Sequence, residues 1–342
     1  MAHHSKMHGE IRDIPQAVAQ LLAAGGDTMA GAGAALRDRD PAFLTTAARG
    51  SSDHAATYFK YATEILMGVP VASLGPSVSS IFGRQMRLDR GACVAVSQSG
   101  QSPDIVATAA MAARGGALTF ALTNEADSPL AAACDRTLHL HAGAEHSVAA
   151  TKTFVNSCVV SLWLLAEWAQ DKALLAALHD LPEALSQATA LDWPEVRAAL
   201  ETRASLYCLG RGPAYAIAGE AALKFKETCL MHAEAYSSAE VLHGPVSLID
   251  PGFPVLALCA ADAAEASLAE AADAIAKKGA AVFATTDKVR HATPLPVVRT
   301  GHPLTDGVAL IATFYAMVER VAVGRGIDPD TPRHLRKVTE TT

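Results

Sequence analysis

The sequence predicts an α/β protein built from two tandem three-layer α/β/α units with parallel sheets, related by internal duplication. Two observations lead to this prediction. Short β-like runs alternate with helical segments along the chain, an order that is typical of parallel sheets covered by helices on both faces. In addition, the pattern of an apolar run, Arg-Gly and a helix around Arg49 recurs around Arg211, 162 positions later.

The repeat continues in the same order through both halves. VAVSQSG at 94–100 corresponds to VLALCAA at 255–261, and FALTN at 120–124 corresponds to FATTD at 283–287. Each match lies at a junction between a strand and a loop, and the offsets stay between 161 and 163 positions. Three matches in order indicate a duplicated βα framework rather than a chance likeness.

Local patterns predict the individual elements. Short apolar runs bounded by turn residues predict strands, and the stretch 148–203 has a helical pattern broken by Pro182 and Pro194. The predicted strands are 43–48, 70–74, 92–97, 118–123 and 136–140, then 205–210, 254–260, 280–285 and 294–298, with a weaker candidate at 232–236. The predicted domains are an N-terminal arm and helix (1–27), a first unit (28–170), a helical linker (171–200), a second unit (201–325) and a C-terminal tail (326–342).

The composition indicates a large core and excludes several classes of partner. Half of the 342 residues are hydrophobic, and the net charge is −7 without a lysine or arginine run, so nucleic acid is not expected as a partner. The longest apolar run, CVVSLWLLAEWA, is too short to span a membrane. The six cysteines are scattered without a C-x-x-C pair, which favours buried, reduced thiols. Because the N-terminus shows no signal-peptide pattern, we expect a cytoplasmic protein.

A strand, a hydroxyl-rich turn and a helix follow one another in CVAVSQSGQSPDIVATAAMAARGG. Ser102 is a good N-cap, and Pro103 suits the first helical position. The free N–H groups of the helix start attract an anion, so the turn predicts a site for a small phosphoester. An ordinary serine-capped turn is the alternative, and ATP and NAD are disfavoured because neither GxxxxGK[ST] nor GxGxxG is present. The polar side chains that the turn offers are those of Ser97, Gln98, Ser99 and Ser102.

Two further segments resemble ligand-binding turns. In GSSDHAATYF, the residues 51–53 are candidate helix caps. In AEHSVAATKTF (144–154), small residues open a helix, so a ligand could approach the backbone closely. His146 and Lys152 of this segment are interpreted as solvated or structural rather than catalytic.

The stretch from Gly219 to Pro245 brings charged and titratable groups into an otherwise apolar, alanine-rich part of the chain. Glu220, Lys224 and Glu227 are spaced by four and three residues, so they share one helix face. His243 lies in the irregular connection that follows. The set suits acid–base chemistry, but a helical salt-bridge stripe with a loop histidine explains this stretch equally well.

Several segments together resemble the sugar isomerase (SIS) family. They are SQSGQSPD, TNEADSPLA, AEHSVAATKTF, GRGPAYAIAGEAALKFKETCLMHAEAYSSAEVLHGP and TPRHLRKVT. The chain resembles the isomerase half of glucosamine-6-phosphate synthase and stand-alone amino-sugar-phosphate deaminases over nearly its whole length. The resemblance implies flavodoxin-like units of the SIS type and a C-terminal tail that closes the active site.

The resemblance also implies roles for the matching residues. Glu227 matches the base that moves a proton between C1 and C2, and Lys224 matches a basic partner of that base. Lys337 matches a tail lysine that attends the carbonyl carbon. His243 matches the imidazole that opens the sugar ring, which in relatives comes from the neighbouring subunit of a dimer. The residues that match substrate-binding positions are Ser52, Ser97, Gln98, Ser99, Ser102, Val148 and Ala150.

Two positions depart from the synthase pattern, because Ala150 replaces a serine and Leu242 replaces a lysine. The implied function is a glucosamine-6-phosphate deaminase, which isomerises the amino sugar and releases ammonia to give fructose 6-phosphate. No glutaminase domain is expected, since the isomerase-like EIRDIP already begins at Glu10. A galactosamine-6-phosphate deaminase, another phosphosugar isomerase or deglycase, and a phosphosugar-binding regulator stay open as alternatives. We expect a homodimer with shared active sites, no cofactor or metal, and no membrane partner.

Overall fold

Two parallel five-stranded sheets form the framework of the protein. The computed structural model describes residues 5–335 and residue 337. These residues group into two units. Unit A contains 16–145, 152–179 and 337, and unit B contains 5–15, 146–151 and 180–335.

The inner strands of each sheet are short apolar runs that are buried on both sides, as is typical of parallel sheets. In unit A the order is β2-β1-β3-β4-β5, and in unit B it is β10-β9-β8-β6-β7, with all neighbours parallel. The strands are β1 Phe43–Ala47, β2 Val71–Ser73, β3 Gly91–Val96, β4 Leu118–Thr123, β5 Arg136–His139, β6 Ser205–Gly210, β7 His232–Ser237, β8 Pro254–Ala257, β9 Ala281–Ala284 and β10 Thr293–Pro294.

Helices connect successive strands and cover the sheets, which is the arrangement expected of parallel crossovers. In unit A, helices α3 and α4 pack on α8, and in unit B helices α1, α10 and α11 pack on α13. The helices are α1 Lys6–Arg12, α2 Ile14–Ala24, α3 Gly26–Arg39, α4 Ser51–Met67, α5 Pro76–Ser80, α6 Pro103–Arg114, α7 Pro129–Ala133, α8 Lys152–Ala169, α9 Lys172–Ala188, α10 Pro194–Leu200, α11 Pro213–Cys229, α12 Glu265–Ala276 and α13 Pro303–Gly324.

The two sheets confirm the predicted duplication. Read from β2 in unit A and from β7 in unit B, the strands follow the same order. The turn after the first strand of each copy is also the same, because Gly50 has φ 56° and ψ −131°, and Gly212 has φ 58° and ψ −136°. Only glycine adopts such a conformation readily. The Arg-Gly pair that revealed the repeat therefore encodes one particular backbone turn.

Small residues let helix α6 approach the sheet of unit A closely. Ala47, Ala95 and Ala121, near the C-terminal ends of β1, β3 and β4, pack with Ile105 and Ala109 of α6. The turns that follow these strands are thereby supported on a rigid apolar layer. This layer positions the predicted phosphate-binding residues.

In unit B the central helix is α13. It is long and apolar enough to cross a bilayer, but 83% of its most apolar window is buried inside the protein, as in the core helix of a globular fold. The cysteines are free and, except for half-buried Cys134, fully buried. Burial raises the pKa of the Cys93 thiol to about 11, so this thiol behaves as a small apolar side chain.

Two local predictions need correction. Residues 51–53 do not cap α4, because Gly50 occupies the N-cap and Ser51 is already helical. The last strand ends at Pro294 instead of extending to 298, since Pro294 and Pro296 lack the N–H groups that a ladder needs. Lys152 is buried, which agrees with the structural and not with the solvated interpretation of this residue. The predicted domain boundaries stay a prediction.

Candidate active site

The turn after β3 carries four of the predicted substrate-binding residues. Ser97 follows the strand and is buried, whereas Gln98, Ser99 and Ser102 are half-buried. The Gln98 carbonyl accepts the backbone N–H of Asn124 at 3.0 Å, which fixes the turn against the end of β4. The hydroxyls and the amide are thus held on a rigid frame, as binding of a small anion requires.

Glycine and proline define how this turn enters helix α6. Gly100 has φ 62°, and a Cβ atom there would lie 2.1 Å from the Ser128 hydroxyl, so no other residue fits. Ser102 and Pro103 occupy the N-cap and first helical positions, as predicted. The Ser102 side chain makes no capping bond. Its hydroxyl therefore remains suited to an anion, whereas the Ile105 N–H in the first turn of α6 is already accepted by Oδ1 of Asp104 at 2.9 Å.

Arg49 links the turn after β1 to the start of α6. Its Nε donates to Oδ2 of Asp104 at 2.5 Å, and the Asp104 side chain is fully buried while half of the Arg49 side chain is exposed. Ser52 lies three residues after Arg49, half-buried in the first turn of α4. The two turns thus meet at the C-terminal ends of neighbouring strands, which is where doubly wound sheets bind ligands.

The equivalent turn of unit B is closed by the protein's own side chains. Ala261 stands where unit A has Gly100, and its N–H donates to Oδ2 of Asp306 at 2.9 Å. Arg299 donates to the same carboxylate at 3.2 Å and to the Cys259 carbonyl at 2.9 Å. A buried carboxylate, neutralised by a guanidinium, therefore takes the place of an anionic ligand. Of the two copies, it is the turn of unit A that offers hydroxyls to a phosphate.

Glu220, Lys224 and Glu227 form a charged cluster on one face of α11, as their spacing predicts. The Lys224 ammonium donates to the Glu227 carboxylate and lies 3.5 Å from Oε1 of Glu220. Tyr315 of α13 donates its hydroxyl to the same Glu220 oxygen at 2.8 Å. The side chains of Lys224 and Glu220 are fully buried, whereas 19% of the Glu227 side chain is exposed. Glu227 is therefore the member of the cluster that a substrate can reach.

The charge state of this cluster follows from its burial and its partners. Burial alone would lower the pKa of Lys224, but attraction and hydrogen bonds from Glu220 and Glu227 raise it above the ordinary value of 10.5. Lys224 is thus a fixed cation beside Glu227 at neutral pH. The salt bridge left open by the sequence does exist, but it is buried, unlike a stripe on a solvated helix face.

His243 lies on an exposed turn of unit B. Its backbone N–H donates to the Glu240 carbonyl at 2.9 Å, which closes a short 3-10 turn before it. The neighbouring side chains of Leu242 and Leu248 are 44% and 67% exposed. In residues 5–335 and 337, no hydrogen bond or ion pair joins the His243 ring to Glu227. The imidazole therefore faces outwards from its own chain.

The loop before α8 carries Val148 and Ala150, which are both half-buried. Glu10 of α1 accepts the backbone N–H of Ser147 at 3.2 Å, and Asp330 accepts the Ser147 hydroxyl at 3.2 Å. Two carboxylates from opposite ends of the chain thus fix the loop to unit B. The missing hydroxyl at Ala150 leaves this loop to contribute backbone and apolar contacts at that position.

Lys337 lies in unit A, where its ammonium is 3.0 Å from Oε2 of Glu145. The Glu145 side chain is fully buried, and 26% of the Lys337 side chain is exposed. The tail lysine is therefore held by an ion pair before any ligand binds.

The structure gathers the predicted residues into local groups and adds partners that sequence reasoning missed. The four turn residues lie together, and Lys224 contacts Glu227 directly. Tyr315, Asp104 and Glu145 were missed, and the only signal for them was a polar group next to an otherwise apolar run. Within the part of the chain that the structure describes, no group of three or more His, Cys, Asp or Glu side chains could hold a metal ion.

The chain matches the family model described as SIS domain over residues 41–167 and 199–293. A glutamine–fructose-6-phosphate aminotransferase (isomerizing) of Caulobacter vibrioides is 32% identical over 353 aligned residues, which cover 97% of this chain and 58% of that relative. The chain thus spans little more than half of this curated relative.

Two solved structures extend the comparison. A provisionally named phosphosugar isomerase from Silicibacter pomeroyi DSS-3 is 60% identical, with a TM-score of 0.93 and coverage of 95% of this chain and 100% of that chain. A glucosamine-6-phosphate deaminase from Thermotoga maritima shares the fold, with a TM-score of 0.79 and coverage of 98% and 100%, but only 19% identity.

Proposed function

The chain belongs to the SIS domain family of phosphosugar isomerases, and on that premise we propose that it is an amino-sugar-phosphate deaminase. Glucosamine 6-phosphate and water give fructose 6-phosphate and ammonia. The aminotransferase relative is named for fructose 6-phosphate and for isomerisation. The deaminase reaction contains an isomerisation of the same kind and needs only water as a second reactant.

The observation that carries the proposal is the partly exposed Glu227 carboxylate beside a buried ammonium. The substrate phosphate is bound by Ser97–Ser102, and His243 moves a proton from the anomeric hydroxyl to the ring oxygen to open the ring. Glu227 then removes the C2 proton and returns it to C1, which converts the aldehyde and amine into an alcohol and a C2 imine. Water adds to this imine, and ammonia leaves from C2 to give the ketose.

Two lysine ammonium groups can stabilise the negative charge that develops on the substrate during the reaction. The Lys224 ammonium, buried behind Glu227, stabilises the negative charge that develops on the enolic oxygen through its electric field, and the tail lysine Lys337 acts at C2. Each charge on these lysines is held by a carboxylate in the structure, so little reorganisation is needed during the reaction.

We expect purified protein to release ammonia from glucosamine 6-phosphate without any glutamine. The measurement is ammonia release across hexosamine 6-phosphates, with product sugar identified in parallel. Unphosphorylated glucosamine is the matched control, and we expect its kcat/KM to fall by about 1,000-fold or more, since the phosphate supplies orientation as well as binding.

Other outcomes of this panel identify the alternatives. Preference for galactosamine 6-phosphate would identify that sugar as the substrate instead of glucosamine 6-phosphate. Formation of a ketose together with a free amine would identify a deglycase. Interconversion of sugar phosphates without ammonia would mark a simple isomerase. Binding of a phosphosugar without turnover of any of them would refute an enzymatic role and favour a regulator.

The proposal includes a homodimer in which His243 serves the partner subunit. Its exposed position next to Leu242 and Leu248 supports this, since exposed apolar side chains around a functional group suit burial by a second copy.

We expect two inactive variants, His243→Ala and Glu227→Gln, to regain activity when their subunits are exchanged. If His243 acts on the partner's base, half of the sites in each mixed dimer are intact, so random exchange restores roughly a quarter of wild-type kcat. If both groups belong to the same chain, every mixed site lacks one group and no activity returns. Light scattering on each preparation checks that dimers are present.

A further inference from the structure

Glu145 is a fully buried carboxylate that sequence analysis did not single out. It lies after β5, in the irregular segment that leads towards α8. Its Oε1 accepts the backbone N–H of Thr153 at 3.2 Å, and its Oε2 accepts the Thr153 hydroxyl at 2.7 Å. The ammonium of Lys337 binds Oε2 at 3.0 Å.

These contacts account for the burial of the charge. A carboxylate removed from water needs hydrogen bonds and an opposite charge to offset its lost hydration. Thr153 stands in the first turn of α8, where free N–H groups and the helix dipole favour a negative charge. Glu145 is thus fixed by a buried helix and in turn presents a rigid anionic partner to the tail.

Lys337 remains partly accessible to solvent while it is paired with Glu145. The Glu145 side chain has no exposed surface, whereas about a quarter of the Lys337 side chain does. The ammonium is therefore bound by Glu145 while part of the Lys337 side chain is exposed to solvent. This ion pair links residues 192 positions apart in the sequence and holds the tail amine against Glu145.

We propose that Glu145 is the positioning residue for Lys337, holding the tail amine in place for the reaction. The inference rests on the proposed function, in which Lys337 attends the substrate carbon. Glu145 itself acts through Lys337 and through the N-terminus of α8.

The test uses Glu145→Gln in the full-length protein. The glutamine oxygen can still accept the Thr153 N–H, but the amide group offers no charge to Lys337, so the ion pair with the tail lysine is lost while the helix start is kept. Asp135→Asn is the matched control, because Asp135 accepts the N–H and the hydroxyl of Thr119, both at 2.8 Å, in the same way. No lysine pairs with Asp135 among the residues that the structure describes.

The first readout does not depend on any activity. Competitive acylation of amines, followed by mass spectrometry of the tail peptide, measures how exposed and mobile Lys337 is. We expect Glu145→Gln to increase labelling of Lys337 severalfold and Asp135→Asn to leave it at the wild-type level. Unchanged labelling in Glu145→Gln would overturn the proposal, whether or not the protein proves to be a deaminase.

The second readout is kinetic. We expect Glu145→Gln to lower kcat for ammonia release by about 10- to 100-fold with KM changed by less than about threefold, the pattern of a misplaced reacting group. Adding Glu145→Gln to Lys337→Met should lower kcat no further, because the first residue acts through the second. Additive losses in this double-mutant cycle would show a merely structural role. Absence of turnover in the wild type would count against the deaminase proposal alone, and labelling would then decide the positioning role.

Discussion

Replacing Glu227 with glutamine is expected to lower kcat for ammonia release by about 100- to 10,000-fold, the usual contribution of a general base. Glutamine keeps the volume of the side chain, and its carbonyl oxygen can still accept a hydrogen bond from Lys224. It cannot accept the C2 proton. Since the phosphate-binding turn is untouched, the Kd for fructose 6-phosphate should stay within about threefold of the wild-type value, as calorimetry can measure.

Glu270→Gln provides the matched control for this substitution. Glu270 is an exposed carboxylate on α12 of the same unit, so its loss changes the net charge equally without touching the cluster on α11. We expect wild-type turnover from this variant. Retention of more than about a tenth of wild-type kcat by Glu227→Gln would rule out Glu227 as the base.

The sequence was sufficient to predict the architecture because the physical signals for it are local. Buried parallel strands appear as short apolar runs in the sequence. Because the fold is duplicated, each weak strand or turn pattern in one half is supported by the equivalent pattern in the other. The Arg-Gly pairs at 49–50 and 211–212 illustrate this, since both mark a turn that requires a positive-φ glycine. The same locality explains the error at 51–53, where serine and aspartate have high capping propensity but the glycine before them already starts the helix.

The partners within the candidate site could not be predicted, because they depend on contacts between distant residues. Tyr315 reaches Glu220 across 95 positions, and Lys337 reaches Glu145 across 192. Periodicity places a residue on a helix face but does not say which side chain of another helix meets it. The spacing of Glu220, Lys224 and Glu227 predicted their mutual contact, yet only the fold shows that the cluster is buried.

The closed turn of unit B shows a further limit of sequence patterns. The repeat aligns Ala261 with Gly100, but it does not reveal that Asp306 and Arg299 occupy the turn from outside the aligned segment. A duplicated fold can thus keep the same strand order while its own side chains fill the turn of one copy. The sequence feature that distinguishes the two turns is their number of hydroxyl side chains. Residues 97–102 contain three serines, whereas residues 258–263 contain no hydroxyl side chain.

Replacing Lys224 with methionine is expected to destabilise the protein by about 3–5 kcal/mol, the cost of removing the cation that faces the buried Glu220 and the partly exposed Glu227. Methionine is apolar and of similar length, so packing is largely kept. Lys226→Met, at an exposed position two residues further along α11, is the control and should change the unfolding free energy by less than about 0.5 kcal/mol. Denaturant unfolding at pH 7 measures both values.

The pH dependence distinguishes lost charge pairing from lost packing. In the wild type the pKa of Lys224 is raised above 10.5, because attraction and hydrogen bonds from Glu220 and Glu227 outweigh the effect of burial. The charged lysine therefore contributes its full stabilisation below pH 10.5, and this contribution is lost only as the pH rises through the pKa of the folded state. In Lys224→Met the carboxylates that faced the ammonium lose its attraction, and the deficit relative to wild type should shrink towards pH 4 as carboxylates become protonated. A second variant, Lys224→Met with Glu220→Gln, should recover part of the deficit at pH 7, since it removes one of the two negative charges that had faced Lys224. A deficit that is constant with pH and unchanged in the double variant would mean that Lys224 stabilises the fold through packing alone.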